Sequence, residues 1–138
     1  MSLNVELLEQ SFEQIKPRAN EFVASFYENL FAAYPEVQPM FAQTNMAEQR
    51  KHLLAALVLV VQNLRKPETL EDALKTLGIK HVNYGTMPEH YPAVGEALLT
   101  TFEQYLQQDW TPEVKQAWID AYGVITQEML KGADAVSA

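Results

Sequence analysis

The stretch Lys80-His81-Val82-Asn83-Tyr84-Gly85, followed closely by His90-Tyr91-Pro92, decides how this chain is read. It holds two of only three histidines; the third, His52, stands in Arg50-Lys51-His52-Leu53. Upstream lie two aromatic frames, Phe26-Tyr27-Glu28-Asn29-Leu30-Phe31 and Pro39-Met40-Phe41. A lone histidine on a helix is ordinarily a surface residue or a satisfied core residue, so His81 gains meaning only from its surroundings.

Those surroundings are helical. Before His81, Pro67 and Glu68 open a segment with Leu70, Ala73, Leu74 and Leu77 on one face, and Gly78 is expected to loosen its end. A long helix precedes it through Leu64, started by Asn45 and Glu48 as an N-terminal capping pair. Farther upstream, Val5, Leu8, Phe12 and Ile15 make a first apolar stripe, and Pro17 marks a corner. Phe22, Val23, Phe26, Tyr27, Leu30 and Phe31 then make a second helix that faces Tyr27 to the core and ends at Tyr34-Pro35. Pro35 and Pro39 frame a short turn leading to Phe41.

After His81, one stripe is Val94, Leu98, Phe102 and Tyr105; the last is Val114, Trp118, Ala121, Tyr122, Ile125 and Met129. Thr111-Pro112-Glu113 starts that last helix with a capping hydroxyl, a first-turn proline and an early acid. No strand alternation, internal repeat or low-complexity linker interrupts the pattern. The expectation is one all-α domain over residues 1–138, with residues 132–138 a frayed tail.

Composition removes several functions. Ten Lys and Arg against 18 Asp and Glu give a net charge of −8, with no dense basic run, which argues against nucleic-acid binding. The chain has no cysteine, so disulfides, thiolate metal ligands, cysteine nucleophiles and thioether-linked haem or bilin are excluded. The apolar run from Leu53 to Val61 is far shorter than the ~18 residues of a membrane span, and the start lacks a signal-like pattern. A cytoplasmic protein without membrane contact is expected.

From about Leu7 to Leu130 these motifs resemble the single-domain bacterial haemoglobins and the globin halves of flavohaemoglobins. The resemblance implies a globin fold, a three-over-three helical sandwich enclosing a pocket for one non-covalent haem b. It implies that His81 is the proximal iron ligand, a role for which a neutral imidazole is the ordinary protein group. Phe41 is then the aromatic residue against the haem. Leu53, Val94, Tyr91 and Lys80 complete the cofactor contacts, Tyr91 beside the ligand histidine and Lys80 near a propionate.

On the distal side the resemblance points to Tyr27, whose hydroxyl is suited to donate to bound oxygen, and to Gln49 and Leu53, four apart on one helix face. The alternatives are a Tyr27 hydroxyl spent on a backbone carbonyl, a Gln49 turned to water, and a Lys80 that is simply solvated. His52, at the margin of the distal face, is read as exposed, with internal iron ligation as its alternative; His90 is read as a structural loop residue. Ala133 departs from the pattern, standing where flavohaemoglobin-like globins carry a glutamate. Its absence should make the imidazole less anionic and weaken oxygen-activating chemistry. Thr86 departs too, with Met87 as a substitute contact.

Reversible binding of oxygen, carbon monoxide and nitric oxide follows as the implied function. Nitric oxide dioxygenase activity is an extension that requires an external reductase, since these residues leave no space for a flavin module. A haem-based gas or redox sensor that signals to a partner is the competing class. A globin-like module without haem, or a bilin-binding helical domain, is the third.

Overall fold

Three of the helices start where a side chain holds a free backbone donor. In the computed structural model, which describes residues 3–83 and 90–137, the Asn4 side chain accepts from Leu7 N at 3.3 Å and opens α1, Val5–Ile15. A short 3-10 turn across Pro17 leads into α2, Ala19–Ala33, closed at Tyr34 before Pro35. The 3-10 segment Pro35–Phe41 follows. The Asn45 side chain then accepts from Glu48 N at 3.2 Å and starts α3, Met46–Gln62. The remaining helices are α4, Pro67–Asn83; α5, His90–Leu106; and α6, Pro112–Ser137, where the Thr111 hydroxyl accepts from Val114 N at 3.2 Å.

The all-α expectation holds, and three details change. His90 is the first residue of α5, not a loop residue. The last helix does not stop at Gly132; it continues to Ser137, and Gly132 and Ala133 are buried. Gly78 does not loosen α4, which runs through it to Asn83 because the missing side chain lets α6 approach. Thr86 and Met87 lie outside the described residues.

Two pairings organise the helices: α4 lies chiefly on α6, and α2 on α5. The second is polar as well as apolar. Asn29 Nδ2 donates to Thr101 Oγ1 and to Gln104 Oε1, both at 2.9 Å, and Ser25 and Tyr105 share a 2.7 Å hydroxyl contact. The centre is aromatic. Phe102 stacks on Trp118 with centroids 4.3 Å apart and meets Phe22 at 4.8 Å, so one ring joins α2, α5 and α6. No helix among the described residues is long and apolar enough to cross a membrane.

The buried Trp118 indole N–H needs an acceptor, and it donates to Ser11 Oγ on α1 at 2.9 Å. Ser11 donates its own hydroxyl to Leu7 O at 2.7 Å. Ser11→Ala should therefore strand a buried donor and lower unfolding free energy by about 1–3 kcal/mol. Urea unfolding checks this, with an unchanged slope and a lower midpoint expected.

Candidate functional site

The distal expectations converge on Tyr27. Periodicity turns it inward on α2, and its side chain is buried beside Phe26, Phe31 and Phe41, with ring centroids 4.9, 6.0 and 5.8 Å away. Gln49, in the first turn of α3, reaches across and donates Nε2–H to the Tyr27 oxygen at 3.1 Å. The phenol oxygen is thus occupied as an acceptor, and its own O–H remains a donor. Burial raises the Tyr27 pKa above 10.0, more than the Gln49 hydrogen bond and the nearby Arg50 charge lower it. That proton stays on at neutral pH.

Leu53, one helical turn beyond Gln49, is half-buried against the core, whereas His52 is exposed. Phe41 ends the proline-framed segment half-buried against Phe31 at 5.4 Å. A recess of about 470 Å³ lies beside it, lined by residues that include Phe31, Phe41 and Met46. Tyr27, Gln49 and His81 do not line that recess, so it is not the space that joins the distal group to His81.

His81 sits near the end of α4, half-buried, with Nδ1 at 2.7 Å from Leu77 O. A carbonyl can only accept, so Nδ1 must carry the hydrogen, and in the neutral imidazole Nε2 then holds the lone pair. This is the tautomer a metal ligand requires, and its acceptor is an uncharged backbone group. Lys80, beside it, is exposed.

Tyr91 and Val94 stand in the first turns of α5, Tyr91 buried and Val94 half-buried. The sequence did not reveal what holds this end of α5. Tyr122 of α6 donates its hydroxyl to Tyr91 O at 2.6 Å, and its ring fills the place where a Cβ on Gly95 would fall, 2.5 Å from Cε2. A glycine four residues after a tyrosine was the only local sign of this contact. Burial pushes the Tyr122 pKa well above 10.0. The structure therefore assembles Tyr27, Gln49 and Phe41 as one group and Tyr91, Tyr122 and Gly95 as another.

The family model for globins matches residues 24–129. Over 128 residues the chain is 31% identical to a flavohemoprotein of Bacillus subtilis, covering 91% of this chain and 32% of that protein. The chain thus spans about a third of that relative's length. An uncharacterized globin-like protein of Aquifex aeolicus is 31% identical over 126 residues, which cover 91% of this chain and 88% of that one. Among solved structures, a bacterial globin from Campylobacter jejuni superposes with a TM-score of 0.83 at 27% identity, covering 96% of each chain.

The raised tyrosine pKa values carry a consequence at high pH. An unfolded chain begins to release phenol protons near 10.0, while native Tyr27 and Tyr122 keep theirs to higher pH. The unfolded state then binds fewer protons, so this contribution is whole below about pH 10 and is lost as pH rises beyond it. Wild type should lose urea resistance more steeply than Tyr122→Phe between about pH 9.5 and 11. Equal slopes would show that Tyr122 ionises as freely in the native state as in the unfolded one.

Proposed function

The chain belongs to the globin family, and on that premise we propose that it holds one non-covalent b-type haem through His81 and reversibly binds diatomic gases. When bound, a haem iron held by one imidazole supplies an open coordination position for oxygen, carbon monoxide or nitric oxide. The residues present fit that group. His81 offers Nε2 as the ligating nitrogen because Leu77 O holds the hydrogen on Nδ1. Phe41, Leu53 and Val94 offer half-buried apolar surface, and Lys80 offers an exposed charge suited to a propionate.

The observation that carries the gas-binding reading is the Gln49-to-Tyr27 hydrogen bond. It occupies the phenol oxygen and leaves the O–H to donate, and burial keeps that proton in place. A donor in a weakly polar surrounding stabilises a polar diatomic ligand more than an apolar one. Oxygen is thereby favoured over carbon monoxide.

The proximal side supports reversible binding over oxygen activation. The acceptor for His81 Nδ1–H is a neutral carbonyl, and Ala133 supplies no carboxylate where the resemblance expects one. A neutral acceptor polarises the imidazole less than an anionic one. His52 is exposed, which supports a distal side open to external ligands. Nitric oxide consumption is the finer extension of this reading, with electrons delivered by a reductase.

Two variants test the assignment. His81→Ala should abolish the imidazole-ligated ferrous spectrum of the haem-loaded protein while far-UV helicity persists; an unchanged spectrum would sink the ligand assignment. Tyr27→Phe should raise oxygen dissociation about tenfold in stopped flow, the effect of losing about 1.4 kcal/mol from one hydrogen bond. An unchanged rate would place the donor elsewhere.

A further inference from the structure

Two glycines in helix interiors have no local reason to be there. Alanine makes a more stable helix at such positions, so an interior glycine needs a contact that alanine would spoil. The contact is present at both. A Cβ on Gly78 of α4 would fall 1.9 Å from Met129 O of α6, and one on Gly132 of α6 would fall 2.2 Å from Lys75 O of α4. Backbone meets backbone reciprocally, and neither carbonyl is a flexible side-chain end that could turn away. Gly123, also on α6, is exposed and has nothing within 4 Å of its Cβ position.

An ion pair spans the same crossing. Glu128 of α6 is buried, lies 4.0 Å from Lys75 Nζ and 3.1 Å from Lys131 Nζ, and so ties α4 to α6 beside the glycine contacts. His81 follows Gly78 by three residues, less than one helical turn. Its Nδ1 is fixed to Leu77 O, the residue next to Gly78, so the ring moves with this part of the α4 backbone.

We infer that the Gly78–Gly132 crossing positions His81 for its iron, with α6 setting the place of the α4 backbone from which the imidazole projects. The inference rests on the haem reading above and assigns Gly78 and Gly132 as positioning residues. A methyl at either glycine must part the helices by roughly 1–2 Å to reach ordinary contact distance. Displacements of about that size are enough to change a ligand's bond to its metal.

Resonance Raman spectra of the ferrous, haem-loaded protein test this, with far-UV helicity and haem-loss rates measured in parallel. Gly78→Ala and Gly132→Ala should each shift the iron–imidazole stretching band and speed haem loss at least about tenfold. Gly123→Ala, on the same helix as Gly132, should leave the band where wild type has it. A folded Gly78→Ala or Gly132→Ala protein with a wild-type band overturns the inference. If neither folds, Glu128→Gln loosens the crossing without adding volume; a shifted band there supports the inference and a wild-type band overturns it. Wild type without an iron–imidazole band would instead overturn the haem reading, and this inference with it.

Discussion

The ring of Phe102 is the point on which the fold depends. Fully buried, it stacks on Trp118 of α6, meets Phe22 of α2, and lies parallel to Trp110 at 6.0 Å. Trp118 in turn requires Ser11 of α1 for its indole N–H, so four helices are bound to one aromatic centre. Aromatic side chains of this size dominate core energetics, and dense packing makes each position sensitive to its neighbours. The centre leaves α3 outside it. Although α3 is rich in Leu and Val, only Leu57 and Val60 are fully buried along its length, while Leu53, Leu54, Val58 and Val61 remain partly covered.

That uneven burial connects stability to the proposed cofactor. Each Å² of apolar surface removed from water contributes about 25 cal/mol, so a flat apolar group laid against α3 would complete a burial that the protein leaves unfinished. A ligand that binds only the native state stabilises it by mass action. On the haem reading α3 would gain most from occupancy, whereas α1, α2, α5 and α6 are held by their own side chains. The two polar residues of the distal group suit this arrangement: Gln49 donates to the Tyr27 oxygen and leaves the Tyr27 O–H as a donor.

Local chemistry was legible in the sequence and reciprocal chemistry was not. The Asn45 and Thr111 caps, the stop at Tyr34-Pro35 and the inward face carrying Tyr27 all depend on neighbours within one or two turns, where spacing alone identifies the partner. His52 was readable as exposed for the same reason, from its angle on the helix. Gln49 was not: whether it faces water or Tyr27 depends on how α3 crosses α2. Gly78 was misread because a glycine in a helical pattern signals weakness when its partner is unknown, and its partner is Met129 on the last helix. The tyrosine lock from Tyr122 to Tyr91 O is hidden likewise, since each residue alone looks like core.

The departure of this chain from the family pattern at Ala133 then has a physical account. A carboxylate at position 133 would act on His81 electrostatically, through charge delivered to the imidazole. Here Ala133 is small, and its neighbour Gly132 brings the helix backbone itself against Lys75. On the haem reading, α6 acts on the proximal ligand through steric position instead of charge, and the hydrogen on Nδ1 goes to Leu77 O within α4. Steric control of this kind alters where the imidazole stands without making it anionic, and a neutral, well-placed imidazole is what reversible gas binding needs. On that reading the α6 backbone that packs on α4 would also hold the ligand helix in place, so stability and ligand placement would share one contact.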